Sequence, residues 1–183
     1  MNFVRRLLPE WCFSAKKLKP KGVVIHSMNA SNAHRIGLDN SDPLDPEVCW
    51  HILVHYKVSA HLCISPDGTL FQFVPEDRQA YHAGAAILNG KSHCNSWTLG
   101  IELFSLNDSF TDAAMRTLAE VLVDRMETHG FDESMIGGHD QVRAAAIEAG
   151  ICNPRKVKTD PGPNFDWDLL FALMEGIKND RAG

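Results

Sequence analysis

Apolar and polar positions follow two rhythms along this chain, short β-branched runs and longer stretches at helical spacing. "GVVIH" at 22–26 follows a Pro-Lys-Gly break and predicts a buried strand that ends in His26. The next stretch, "SMNASNAHRIGLDNSDPLDPE", is polar and turn-rich and predicts a long loop; loops of that length in a compact domain are often functional. "PEVCWHILVHYKV" at 46–58 predicts a helix opened by Asp45, with Pro46 at its first position. "HLCIS" and "TLFQFV", joined by Pro66, Asp67 and Gly68, predict two strands and a tight reversal. "TLGIELF" at 98–104 predicts a further buried strand, which carries one acid, Glu102. A Thr-Asp start, Met115, Leu118, Leu122 and Met126 at helical spacing, and Gly130 as a stop predict a helix over 111–130. "DQVRAAAIEAG" and "DWDLLFALMEGIK" predict two more helices. Strands interleaved with helices indicate an α/β fold, one sheet covered by helices, with no internal repeat and no low-complexity tract.

Length and charge narrow the class. At 183 residues the chain fits a single domain over 1–183 and is long enough to bury a core without disulfide or metal staples. A net charge of -5 without a long basic run argues against a nucleic-acid reader held through phosphates. No run of 18 apolar residues appears, so no membrane insertion is expected, and nothing calls for a protein partner. The N-terminal "MNFVRRLLPEWCFSAKKLKPKG" lacks the apolar stretch of a signal peptide, which predicts a chain made and at first kept in the cytosol. Cys12, Cys49, Cys63, Cys94 and Cys152 are widely spaced and form no C-x-x-C pair; they read as reduced thiols rather than a disulfide framework or a cysteine zinc site.

Three segments offer chemistry at buried strands: His26 after "VVI", Glu102 inside "LGIEL", and His139 in "GGHD". A single histidine is more often structural than functional. Glu102 differs, because a carboxylate amid Leu99, Ile101 and Leu103 is costly to bury without a partner or a job. In "KVKTDPGP", Pro161 forces Asp160 into an extended conformation, so Lys158 and Asp160 share a face with Thr159 opposite. That pair reads either as a surface ion pair or as a metal-ligating aspartate beside a cation facing the reacting atoms. His26, His139 and Asp160 form by type a two-histidine, one-carboxylate set of the kind that leaves a fourth position for water, although sequence spacing does not establish it. His51 and His55 stand four apart on the predicted helix, but Ile52 occupies the place of the metalloprotease glutamate, and the pair reads as ordinary helix residues. His34, His93 and His129 have little or no contextual support.

Taken in order, "VVIHS", "VSAHLCISPDGTLFQFVPEDRQAYHAG", "CNSWTLGIEL", "GGHD" and "KTDPGPNFDW" resemble the zinc-dependent N-acetylmuramoyl-L-alanine amidases of the type 2 amidase family, which share their fold with the peptidoglycan recognition proteins. The resemblance covers an amidase core of about 20–172. It implies a central mixed β-sheet flanked by helices, a Zn2+ ion held by His26, His139 and Asp160, an oxyanion-stabilising Lys158, and Glu102 as the residue that orients or deprotonates the attacking water. His61 and His82, which lie in matching segments, and Asn95 and Trp97, beside the Glu102 strand, are candidate substrate contacts. The implied substrate is the amide joining the lactyl group of N-acetylmuramic acid to L-alanine, in peptidoglycan or a released muropeptide.

Two departures bear on biology. Some phage members carry a catalytic tyrosine before the histidine matching His61, where this chain has Ala60, so the acid-base role rests on Glu102. The stretch "QVRAAAIEAGICNPRKV" lengthens the connection between His139 and Asp160 relative to the bacterial recycling branch. That extension inclines the expectation to a phage-type endolysin acting on the wall. The alternatives are a cytosolic amidase recycling anhydro-muropeptides and a non-catalytic peptidoglycan-binding module.

Overall fold

In the computed structural model, which describes residues 2–28, 36–38, 45–105 and 109–183, six strands form one mixed sheet. Its strands are β1 (Phe3–Arg5), β3 (Val23–Met28), β4 (Leu62–Ile64), β5 (Leu70–Gln72), β9 (Leu99–Phe104) and β10 (Ile136–Gly138), in the spatial order β1-β5-β4-β9-β3-β10. Within this sheet only the hairpin β4–β5 is antiparallel, and the other four pairings are parallel. Two small ribbons complete the strands: β2 (Ser14–Lys17) with β6 (Arg78–Gln79), and β7 (Ile87–Leu88) with β8 (Lys91–Ser92).

The period of two along β3 and β9 divides the molecule. Val23, Ile25, Leu99, Ile101 and Leu103 point into the main core, where α2 (Asp112–His129) and α4 (Trp167–Ala182) pack through Met115, Leu118, Leu122, Leu170 and Met174. Each of these leucines and isoleucines is essentially fully buried, worth about 1.5–3 kcal/mol apiece relative to exposure. The opposite face carries Val24, His26, Met28, Glu102 and Phe104, and is covered in part by α1 (Pro46–Tyr56) and α3 (His139–Glu148). One sheet face thus carries the main core, and the other carries two smaller apolar clusters together with the polar site.

The caps follow the sequence signals. Asp45 accepts from the Glu47 N–H with Pro46 at the first helical position of α1, and Thr111 accepts from the Ala114 N–H at the start of α2. Gly130 ends α2 in the left-handed conformation, φ 64°, its N–H returning to the Met126 carbonyl. The expected strand at 22–26 extends to Met28 because β9 pairs with it as far as Phe104, so His26 lies within the strand rather than at its end. Most of the expected loop between Ser27 and Glu47, His34 included, lies outside the described residues. Among the described residues, no helix is long and apolar enough to cross a membrane.

Candidate metal centre and groove

His26 sits in β3 directly opposite Glu102 of β9, and His139 is the first residue of α3, immediately after β10 pairs with β3. Asp160 comes from the loop between α3 and α4. That loop is fastened twice: the Asp160 carbonyl accepts from the Asp140 N–H at 2.8 Å, and the Pro161 carbonyl accepts from Ser27 Oγ at 3.2 Å. The Asp160–Pro161 peptide bond is cis, which the sequence does not announce.

Three atoms converge. His26 Nδ1 lies 3.0 Å from His139 Nδ1 and 3.1 Å from Asp160 Oδ2, and His139 Nδ1 lies 3.0 Å from the same oxygen. Hydrogen-bond partners assign the tautomers. His139 Nε2 faces the Ala83 carbonyl at 3.3 Å, an acceptor only, so the proton is on Nε2 and Nδ1 is bare. His82 Nε2 faces the Thr98 carbonyl at 3.4 Å and carries its proton there; its Nδ1 then accepts from His26 Nε2–H at 3.1 Å, leaving His26 Nδ1 bare as well.

Two imidazole lone pairs and a carboxylate oxygen therefore point at one another without a proton between them. Such a cluster suits a bound cation. Two nitrogens and one oxygen are the donor set of catalytic zinc, and a tetrahedral ion with bonds of about 2.0–2.1 Å sets its ligands roughly 3.3 Å apart, close to the spacing seen here. Both histidines have their outer N–H bonded, as metal-ligating imidazoles usually do. Protonation states agree. Burial pushes His26 down to about 4, helped by His139 and Lys158 and opposed by Asp160. Asp160 lies well below its ordinary carboxylate range and is an anion in the site.

The cluster opens into a groove of about 440 Å³. Lys158, Asp160 and Glu102 line one part, and Ile52, Leu53, Tyr56, Val58 and Tyr81 form a largely apolar bank. Lys158 and Asp160 thus share the groove side of their segment, and Thr159 is not among the lining residues. Glu102 is 8% exposed; burial first and the Asp160 charge second raise it to about 8, with Lys158 pulling the other way. A carboxyl in that range can both accept and return a proton near neutral pH.

The candidate substrate contacts are placed differently from one another. His82 lines the groove, although its ring is engaged between His26 and Thr98. His61 is fully buried, its Nδ1 accepting from the Gly100 N–H and its Nε2 donating to the Arg78 carbonyl, both at 2.9 Å, so no ring atom is left for a substrate. Trp97 is also buried, donating to the Ser92 carbonyl beneath Lys91. Asn95 accepts from the N–H groups of His82 and Ala83 and lies behind the groove rather than in it. For these two, proximity to Glu102 in sequence misled, because the short 3-10 turn Cys94–Ser96 carries them under the adjacent loop. Tyr56 and Tyr81, absent from the sequence-based candidates, are groove residues whose exposed aromatic character is visible only once α1 and the 81–84 loop are placed.

Comparison with known proteins gives the family and the fold. The family model described as N-acetylmuramoyl-L-alanine amidase matches residues 16–163. The chain is 36% identical over 125 residues to the 1,6-anhydro-N-acetylmuramyl-L-alanine amidase AmpD of Citrobacter freundii, an alignment covering 67% of this chain and 60% of that protein. It thus spans about 60% of the length of this curated relative. Among solved structures, that of a selenomethionine AmpD derivative superposes with a TM-score of 0.59 at 26% identity, covering 92% of this chain and 99% of that one. The amidase AmiD from E. coli, solved in complex with anhydro-N-acetylmuramic acid-L-Ala-D-gamma-Glu-L-Lys, shares the fold with a TM-score of 0.59 at 22% identity, over 87% of this chain and 59% of that one.

Proposed function

The chain belongs to the N-acetylmuramoyl-L-alanine amidase family, and from that premise we propose that it hydrolyses the amide between the lactyl group of N-acetylmuramic acid and L-alanine, in soluble anhydro-muropeptides. The observation that carries the reading is the convergence of His26 Nδ1, His139 Nδ1 and Asp160 Oδ2 at the floor of an open groove. When bound by these three residues, zinc supplies Lewis-acid polarisation of the carbonyl and an acidified water. The chain's own residues do the rest. Glu102 takes the proton of the attacking water and returns it to the leaving alanine nitrogen, a role worth about 100- to 10,000-fold. Lys158 faces the oxygen on which negative charge develops, a contribution of about 3 kcal/mol that is largest in the transition state. The apolar bank of Tyr56, Val58 and Tyr81 receives the sugar-peptide body and fixes the amide against the reacting groups.

Two considerations support soluble muropeptides over the wall-lysis reading favoured by the sequence. The curated relatives are named for the 1,6-anhydro sugar. The longer connection between His139 and Asp160, which inclined the expectation to an endolysin, forms α3 and its following turn, and supplies no groove-lining residue between His139 and Lys158. The test is to present the zinc-loaded protein with purified sacculi and, separately, with anhydro-muropeptides, and to count new L-alanine amino termini. Release from the soluble substrate at a rate far above that from sacculi is expected; preferential release from sacculi would restore the lysis reading.

A further inference from the structure

We infer that Asn95 is a positioning residue for the metal centre, acting through the His82–Ala83 segment, with Arg143 holding the same segment from the other side. The inference rests on the metal reading of His26, His139 and Asp160.

Both ligand imidazoles end on this dipeptide. The outer nitrogen of His26 donates to the His82 ring, and that of His139 donates to the Ala83 carbonyl. The dipeptide lies outside any strand, between β6 and β7, so no sheet ladder fixes it. Asn95 replaces the ladder: its Oδ1 accepts from the His82 N–H at 3.1 Å and from the Ala83 N–H at 2.7 Å. A shift of this segment would rotate one imidazole and release the other, because each holds its metal-facing nitrogen bare only while its outer N–H has that acceptor.

Arg143 gives an independent observation. Its side chain is buried on α3, yet among the described residues no carboxylate pairs with it. Nη2 donates to the Ala83 carbonyl at 2.9 Å, Nη1 contacts Cys152 Sγ at 3.1 Å, and Nε has no partner. Burying a cation against a single carbonyl is costly. The Ala83 carbonyl that it clamps is the one that sets the His139 tautomer, so the cost falls on a residue with a job. Neither role is visible in the sequence, where Asn95 reads as a groove residue and Arg143 merely falls within a predicted helix.

The test uses the full chain and zinc alone, with affinity read by competition against a chromophoric chelator. Asn95→Leu, which removes the acceptor at similar volume, should weaken zinc binding by about 10- to 100-fold. Asn95→Asp keeps an oxygen in place and should bind close to wild type. In zinc-loaded protein labelled with 15N-histidine, the His26 Nε2 proton should be protected from exchange in wild type and in Asn95→Asp, and exchange measurably faster in Asn95→Leu. Arg143→Met, which keeps the aliphatic stem, should weaken zinc binding in the same direction and gives a reading should Asn95→Leu fail to fold. Wild-type zinc affinity and proton exchange in the folded leucine or methionine variants would overturn the inference. Wild-type protein that takes up no zinc would instead remove the metal reading beneath it.

Discussion

Side chains of one type have opposite uses in this molecule, and their surroundings decide which. His26 and His139 turn bare nitrogens toward a shared carboxylate, whereas His61 spends both nitrogens on backbone groups. His61 accordingly has a stability signature. Burial lowers it to about 4 from an ordinary 6.5, so the folded protein disfavours its proton. The stabilising contribution is complete above 6.5 and is lost as pH falls toward 4, amounting to about 3 kcal/mol over that window. Chemical denaturation at pH 7.5 and pH 5 should show the drop, and His61→Asn, which retains an acceptor for the Gly100 N–H but cannot titrate, should show a smaller one; an unchanged drop would refute the assignment. Within the site, Asp160→Ala should abolish both zinc retention and activity. Lys158→Ala should keep zinc while losing about 100- to 1000-fold in kcat. The two variants separate holding the metal from stabilising charge, with metal content and turnover measured on the same preparations.

The elements position these side chains through one pairing, β3 against β9, which sets His26 beside Glu102 on the face away from the main core. Gly100 on β9 leaves room for the His82 ring; a Cβ there would stand 2.5 Å from His82 Cγ. Gly100→Ala should therefore push His82 off His26, lowering stability by roughly 1–3 kcal/mol and weakening zinc binding. Thermal unfolding and zinc titration would check both effects, and a variant unchanged in both would contradict this packing. β3, β9, α1, α2 and the β4–β5 hairpin were legible because their periodicity, caps and turn residues all agree. β1, β2 and β10 were not: "FVR", "SAKK" and "IGG" show no alternation of their own and become strands through the neighbours that pair with them.

At the scale of the whole molecule, the proposed function depends on bringing together residues 26, 139 and 160, a closure that only the fold supplies. Sequence patterns revealed that a buried acid, two histidines and an extended Lys-x-Asp needed explaining, and the family resemblance joined them. Spacing alone did not, since ligands on separate elements keep no fixed register. The support behind the ligands escaped the sequence entirely: Asn95 and Arg143 act through backbone groups, which carry no residue-specific signal. The most direct measurement of the central claim is the release of L-alanine amino termini from a soluble anhydro-muropeptide, first by chelator-treated protein and then after zinc is restored. The geometry of His26, His139 and Asp160 predicts no release without metal and recovery with it. Full release by the metal-free protein, or none after zinc is restored, would contradict it.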